Sequence, residues 1–374
     1  MSEVGNQEET STRQELIRKW EAERGTKLVS YFLLTDRPNL GLALQINDDA
    51  MRPLSQILKT TDDAEQLDLF LYTRGGSMNA AHNIVKTIRQ KSKRFNVIVP
   101  FRAHSAGTQI ALGADKIVMG SFAQLSPIDP STTSLFNPIL NPQLNPGDLN
   151  NRKPISVEDV QSYLNLAKER TGLVSESDRL EAFRELTRNV EPLALGNVNR
   201  VYEEAQIIAR DLLSMHMSKK EDGEKIEAIV KKLTQTYTHF FLVTRDDAER
   251  IGLKVEKPTP TQETMIMDLY GAYESYLMMN QPYDPDSILT NAPLTPLGQR
   301  EGVPTNQPQQ IRLKMGVIED RTTSFTFVYD GTVYPPISQY VPGLVGQAPY
   351  PPQPAVRIKM GTWRSSTGLG GGFA

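Results

Sequence analysis

The chain has 374 residues, of which 39% are hydrophobic, and this suits a globular protein with a buried core. Its net charge of -3 lacks the basic excess of proteins that bind nucleic acid or anionic lipid, so neither partner is expected. With no cysteine, the chain has no disulfide, thiol nucleophile or cysteine-ligated metal, and this composition favours the cytoplasm.

The N-terminal segment is polar and acidic and lacks the apolar core of a secretion signal. Residues 1–11 are expected to be flexible, and "TRQELIRKWEAERG" predicts a short amphipathic helix that ends at Gly25. Nowhere do about 18 apolar residues run together, so no membrane span is expected.

The next part of the chain alternates between strand and helix patterns. "KLVSYFLL" predicts a strand, and from residue 66 the order is strand, helix, strand, helix, strand, in the segments "QLDLFLYT", "GSMNAAHNIVKTIRQ", "RFNVIVPF", "SAGTQIALGA" and "KIVMG". Such alternation of apolar strands with helices indicates an α/β fold with a parallel sheet and right-handed crossovers.

Small residues follow two of these strands, as "RGGS" at 74–77 and "HSAG" at 104–107. Ligands of parallel sheets meet the carboxyl ends of strands, so the two loops are expected to face one site. Ser105 at the start of a helix is either a nucleophile or only a helix cap. If it is a nucleophile, the backbone N–H groups of Gly76 and Ala106 are the expected oxyanion hole.

The sequence after these strands predicts an irregular segment, then a series of helices, then a C-terminal region of different composition. Residues 127–155 are rich in Pro and Asn and predict an irregular excursion beside the site. Helices are predicted at 156–171, 177–217 with possible breaks at Pro192 and Gly196, 223–235, after Thr244, and 260–279. From residue 281 the chain is rich in Pro, Gln and Gly, with a hairpin in "SFTFVYDGTVYP" that is expected to turn at Asp330 and Gly331, and a flexible end, "STGLGGGFA".

The segments "LDLFLYTRGGSMNAAHNIVKTI" and "PFRAHSAGTQIALGADKIVMGSFAQLSPIDP" resemble the serine dehydrogenase proteinase family of the Clp/crotonase superfamily. The resemblance runs from about residue 12 to 255, and relatives include signal peptide peptidase A and the Clp proteolytic subunit. It implies a crotonase-like (ClpP-type) β-α-β superhelix with a helical extension, and it makes Ser105 the nucleophile. Two departures are Arg74, where the family usually has proline, and Ser126, where it usually has glycine.

The general base is less clear from the sequence. The Clp histidine position holds Ile128, and His82, His104, His216 and His239 are each expected to be structural. None of their spacings suits a metal, and no cofactor is expected.

The resemblance to Ser/Lys dyads, as in signal peptide peptidase A and NfeD-type relatives, points to Lys153, with Lys116 as a weaker rival. As a base, Lys153 would have to be buried, because only the free amine accepts a proton.

These observations predict a serine endopeptidase that acts on peptide or protein substrates and forms a homo-oligomer, as crotonase-like relatives do. The expected organisation is a peptidase domain at 12–257, a helix at 258–280 and a C-terminal region at 281–374. One alternative is a catalytically weak, Clp-like scaffold that binds a partner through its C-terminal region. Another is an acyl-CoA enzyme, against which stand Ser105 and the lack of a basic cluster for CoA phosphates.

Overall fold

The structure of the chain is a computed structural model that describes residues 3–60, 64–128, 131–170, 175–236, 241–290, 307–335, 354–359 and 361–365. The C-terminal stretch that was expected to be flexible lies outside these ranges. The chain forms two compact units, one of residues 1–73 with 259–374 and the other of residues 74–258.

The helices follow the chain as α1 Glu3–Arg24, α2 Met51–Thr60, α3 Met78–Arg89, α4 Ala106–Leu112, α5 Val157–Asn165, α6 Glu176–Asn189, α7 Pro192–Ser214, α8 Gly223–Lys231, α9 Arg245–Ile251, α10 Pro260–Tyr276 and α11 Pro285–Thr290. The strands are β1 Lys27–Leu33, β2 Ala64–Tyr72, β3 Ser92–Val99, β4 Arg102–Ala103, β5 Lys116–Met119, β6 Gln124–Leu125, β7 Ser131–Thr132, β8 Ile155–Ser156, β9 Val255–Glu256, β10 Gln309–Glu319, β11 Ser324–Tyr334, β12 Ala355–Ile358 and β13 Thr362–Ser365.

The first unit is built on a mixed sheet. Strand β1 lies between β2, its parallel neighbour, and β10, its antiparallel neighbour. Strand β11 pairs antiparallel with β10, β12 and β13. Six of the seven residues of β1 are buried, which explains why its sequence is almost continuously apolar rather than alternating.

The predicted C-terminal hairpin is confirmed, but its turn lies elsewhere. Strands β10 and β11 join at residues 320–323, where Asp320 Oδ1 accepts the N–H groups of the second and third following residues at 2.8 and 2.6 Å. Asp330 and Gly331 lie inside β11, and the Asp330 carboxylate accepts a hydrogen bond of 2.8 Å from Arg312 on β10. The prediction of a turn at Asp330 and Gly331 is therefore wrong.

The second unit contains two of the predicted parallel strands, β3 and β5. Strand β5 pairs in parallel with β3 and with β9, while α3 precedes β3 and α4 connects β3 to β5. The short strands β4 and β6 form a separate parallel pair beside the start of α4. The α/β fold with a parallel-sheet core is confirmed.

The helical predictions after residue 156 are largely confirmed. The helical segment is interrupted before Pro192, where α7 begins, as predicted. It is not interrupted at Gly196, which lies inside α7. Helix α2 has no counterpart among the predicted elements, and α1 begins at Glu3, within the segment that was expected to be flexible. Among the described helices, none combines the length and the apolar character needed to cross a bilayer.

Candidate active site

Ser105 lies on a strained turn between β4 and α4. Its backbone has φ 51 and ψ -111, although non-glycine residues rarely adopt positive φ because of the clash of Cβ with the backbone. Such strain persists only where the surrounding structure enforces it, and it often marks a functional residue. The serine side chain is half-buried at this turn.

The alternative in which Ser105 caps the helix is not supported by the geometry. Ser105 occupies the position before the first residue of α4, but its side chain makes no capping hydrogen bond. Ser77 offers a contrast, because its Oγ accepts the N–H of Ala80 at 3.2 Å and caps α3. The hydroxyl of Ser105 therefore does not cap the N-terminus of α4.

The two small-residue loops lie against each other, as the sequence predicted. Gly75 has φ +115, and a Cβ added there would lie 2.9 Å from Ser105 Cβ and 3.0 Å from His104 O. Gly76 follows at φ 146. Only glycine permits both the backbone conformation and this close approach. The loop that carries Gly76 is thus held against the turn that carries Ser105.

Two of the backbone N–H groups around Ser105 donate hydrogen bonds within the protein. Ser105 N–H donates to Ser126 Oγ at 2.8 Å, and Gly107 N–H donates to His104 O at 2.8 Å. Ala106 N–H stands between them at the buried first position of α4, where helix geometry gives it no intrahelical acceptor. Ala106 N also lies 3.3 Å from the position of a Cβ built on Gly75.

The hydroxyl groups of Ser126 and Thr108 form a hydrogen-bond network beside the Ser105 turn, and the sequence analysis did not predict it. The buried Ser126 accepts the N–H of Ser105, and Ser126 N–H donates to Thr108 Oγ1 at 3.1 Å. Thr108 Oγ1 also lies 2.9 Å from Ala103 O and 2.8 Å from Ser126 O, as their donor. The only sequence signal was the departure at Ser126 from the glycine of the family pattern.

Lys153 is held by its backbone rather than by its side chain. Its N–H donates to Pro138 O at 2.8 Å, and its carbonyl accepts from Asn137 Nδ2 at 3.0 Å. The side chain is exposed in the single chain, so the burial that a neutral amine requires is not present here. Lys116 lies at the start of β5 in an exposed ion pair of 3.0 Å with Glu256.

The described histidines have structural contacts or lie beside the turn. His82 Nε2 lies 2.7 Å from Asp211 Oδ2, and His216 Nε2 lies 2.9 Å from Leu112 O. His104 is half-buried and adjacent to Ser105 in the chain. His239 lies outside the described residues.

Comparison with known proteins finds a family match in the N-terminal part of the chain. Residues 2–148 match the family described as ClpP-like SDH-type serine proteinase. Two uncharacterized proteins of Methanocaldococcus jannaschii are similar, one 28% identical over 54% of this chain and 58% of its own length, the other 24% identical over 74% and 84%. The matched segment thus spans less than two thirds of the first relative.

Two solved structures of the membrane-bound stomatin-specific protease 1510-N, both of mutants and one in complex with a substrate peptide, are each 18% identical, with a TM-score of 0.34. Each alignment covers 59% of this chain, and 74% and 78% of the respective structures. The match of residues 2–148 to the ClpP-like SDH-type serine proteinases confirms the resemblance that the motifs around Gly75 and Ser105 indicated.

Proposed function

We propose that the chain is a serine endopeptidase that hydrolyses peptide bonds with Ser105 as its nucleophile. The observation that carries the proposal is the turn itself: an uncapped serine at positive φ, packed against the Gly75–Gly76 loop. In the proposed reaction, Ser105 Oγ attacks the peptide carbonyl carbon while a base takes its proton. The N–H groups of Gly76 and Ala106 then stabilise the oxyanion.

The second half of the reaction follows from the same groups. The protonated base gives its proton to the leaving amine as the C–N bond breaks, and an ester to Ser105 remains. Water attacks this ester as the base takes one of its protons, the bond between the acyl carbon and Ser105 Oγ breaks, and the base returns the proton to Oγ. The new carboxylic acid leaves and the hydroxyl is regenerated. No cofactor or metal is needed for this sequence of steps.

The proposed base is the amine of Lys153. This role is supported by the backbone hydrogen bonds of Lys153 to Asn137 and Pro138, which fix the position of the lysine backbone near the end of the irregular segment 127–155. Because its side chain is exposed in the single chain, the dyad requires that a second copy or the bound substrate exclude water from it. We further propose that the protein self-associates and acts in the cytoplasm.

The exposure of Lys153 favours one other candidate, the catalytically weak scaffold. A labelled fluorophosphonate separates the two, since it forms a covalent bond only with an activated serine. The endopeptidase is expected to be labelled at Ser105, as located by mass spectrometry, and Ser105→Ala is expected to abolish both labelling and peptide hydrolysis. As a matched control, Ser92→Ala removes a serine hydroxyl at the start of β3, outside both loops of the site, and should keep the label. A wild-type protein that does not react would leave the scaffold as the better description.

A further inference from the structure

The turn at Ser105 is held from below by the segment that carries Ser126. Ser126 is 3% exposed, and its Oγ accepts the N–H of Ser105 at 2.8 Å while lying 3.1 Å from Pro127 O, to which it donates. The hydroxyl thus satisfies a backbone donor that precedes the helix, where no helical acceptor is available. It joins two residues that are 21 positions apart in the chain.

The segment that carries Ser126 is itself fixed on both sides. Gln124 N–H donates to Phe101 O at 2.8 Å, and Leu125 exchanges backbone hydrogen bonds of 2.9 and 3.0 Å with Val243. Strand β6 also pairs in parallel with β4, which leads directly into the turn. The Ser126 hydroxyl is therefore attached to a rigid support rather than to a loose loop.

We propose that Ser126 is a positioning residue for the nucleophile. Its hydroxyl accepts Ser105 N–H and thereby keeps the serine in the positive-φ conformation, in which Oγ makes no capping hydrogen bond to α4. The same bond occupies Ser105 N–H, so that the oxyanion must be bound by donors other than this one, as the proposed pair of Gly76 and Ala106 requires. The effect of Ser126 on turnover rests on the proposed function, whereas its effect on the backbone conformation of Ser105 does not.

The direct test is amide hydrogen exchange at Ser105, resolved by NMR. In the wild-type protein this amide is expected to be protected, although it precedes the helix, and in Ser126→Ala it should exchange faster by about fivefold, the effect of one hydrogen bond. Amides within α4 should keep their exchange rates. A Ser105 amide that exchanges freely in the wild-type protein would overturn the proposal without any variant.

The kinetic test measures turnover and the rate of fluorophosphonate labelling. Ser126→Ala is expected to lower kcat and the labelling rate by about fivefold with little change in KM, because the nucleophile and not the substrate is mispositioned. The matched control is Ser92→Ala, which removes another buried serine hydroxyl, bonded to Ile88 O at 3.1 Å near the start of β3. This control should label at the wild-type rate.

The outcomes distinguish this inference from the proposed function. If the wild-type protein labels at Ser105 but Ser126→Ala labels and exchanges as the wild type does, the positioning role is wrong and the peptidase stands. If the wild-type protein does not label, the peptidase fails, while the exchange measurement still tests whether Ser126 holds the turn. Equal losses of label in Ser126→Ala and Ser92→Ala would show a general loss of stability and reject the positioning role.

Discussion

At the scale of single residues, the site depends on glycine at position 75. A side chain there would have its Cβ 2.9 Å from Ser105 Cβ, and its φ of +115 is one that L-residues rarely adopt. The neighbour that must give way is Ser105, the proposed nucleophile. Gly75 therefore couples the conformation of one loop to the position of the Ser105 side chain.

Replacing Gly75 by alanine is expected to abolish labelling at Ser105 and to destabilise the protein by about 1–3 kcal/mol, the range for strained backbone. Urea unfolding followed by circular dichroism gives the stability, and the fluorophosphonate gives the reactivity. Gly196→Ala is the control, because Gly196 lies in α7 with nothing within 4 Å of an added Cβ. This change should stabilise the protein by about 0.5–1 kcal/mol and leave labelling intact. Full labelling of Gly75→Ala would contradict the coupling.

The oxyanion hole gives a second expectation at this scale. Gly76→Pro removes a backbone N–H, and since one oxyanion donor typically contributes ~3 kcal/mol, turnover should fall by roughly a hundredfold or more. Distortion of the loop contributes to this loss, so the unfolding free energy is measured beside kcat. Turnover within a factor of a few of the wild type would remove Gly76 from the proposed hole.

The base can be tested by substitution, with kcat for peptide hydrolysis as the measurement. If Lys153 acts as the base, Lys153→Arg should be inactive because a guanidinium group cannot accept the proton of the serine. Lys116→Arg, which keeps the charge of an exposed ion pair, and His104→Ala should retain activity. Loss at His104 with tolerance at Lys153 would replace the dyad by a serine–histidine mechanism.

Some of the site could be predicted from the sequence because its signals are local. A serine between small residues after a strand, and a glycine pair after the neighbouring strand, each occupy four consecutive positions. The bond from Ser105 to Ser126 is not local, and the positive φ of Ser105 arises from packing against Gly75. Neither can be read from composition or periodicity, since both depend on how distant segments meet.

At the scale of elements, two side chains bind the C-terminal end of α4, the helix that follows Ser105. Arg89 on α3 donates to Gly113 O through two nitrogen atoms, at 3.1 and 2.7 Å, and His216 after α7 bonds to Leu112 O. Donors at this end satisfy carbonyl groups that lack helical partners. Burial lowers the pKa of His216, the bond to the Leu112 carbonyl opposes this shift, and the cations Lys254 and Arg89 add to the lowering.

The lowered pKa of His216 gives a pH dependence of stability. The unfolded chain binds a proton on this histidine near pH 6.5, whereas the folded protein binds it only at lower pH. The unfolded state therefore carries more protons in this interval, and the free energy of unfolding should fall as the pH decreases through and below about 6.5. His216→Gln, which keeps an N–H donor, should reduce the slope, measured by urea unfolding at several pH values. An unchanged slope would contradict this assignment.

The hairpin shows why element boundaries are harder to predict than elements. The pair Asp330–Gly331 is a strong hairpin signal, but the Asp330 carboxylate is bound to Arg312 and Arg364, and β11 continues through it. The turn instead uses Asp320, whose carboxylate binds the backbone of the turn. The pairing of β10 with β11, which runs from Gln309–Val333 to Glu319–Ser324, places Asp330 within the strand and Asp320 in the turn.

At the scale of the whole molecule, the division of the chain could not be predicted from composition. The shift to Pro, Gln and Gly after residue 281 marks a change along the sequence, whereas the first unit combines residues 1–73 with 259–374. Within that unit, β10 pairs with β1 over Ser30–Leu33, nearly 290 positions away. Such pairing satisfies the backbone N–H and C=O groups at the edge of β1. Local sequence patterns do not specify which distant strand does so.

A buried ion pair contributes to the same long-range association within the first unit. Arg13 of α1 donates to both carboxylate oxygens of Glu319 at 2.8 and 3.1 Å, and Tyr273 Oη of α10 donates to the same carboxylate at 2.7 Å. Glu319→Ala leaves Arg13 buried without its charge partner and should destabilise the protein by about 3–5 kcal/mol in urea unfolding. Glu185→Ala, which breaks an exposed pair with Arg188 on α6, should change stability by about 0.5 kcal/mol or less.

Self-association is the remaining expectation at this scale. Large apolar side chains are exposed along the helices after residue 156, with Leu180 49%, Phe183 46% and Leu193 57% exposed. Leu180 and Phe183 lie three positions apart on one face of α6, and contiguous exposed apolar patches are typical of surfaces that bind another protein. If a second copy covers them, the mass in light scattering at micromolar concentration should be a multiple of 41.8 kDa.

A charged substitution on this exposed surface tests assembly without disturbing the fold. Phe183→Asp should lower the scattering mass toward one chain, because an unpaired carboxylate is costly in an apolar interface, while the circular dichroism spectrum stays unchanged. Met267→Asp, at an exposed apolar position of α10 in the other unit, is the control and should keep the wild-type mass. If assembly is also what removes water from Lys153, peptide hydrolysis should fall together with the mass in Phe183→Asp. A wild-type protein that is monomeric but fully active would show that the base is completed within one chain.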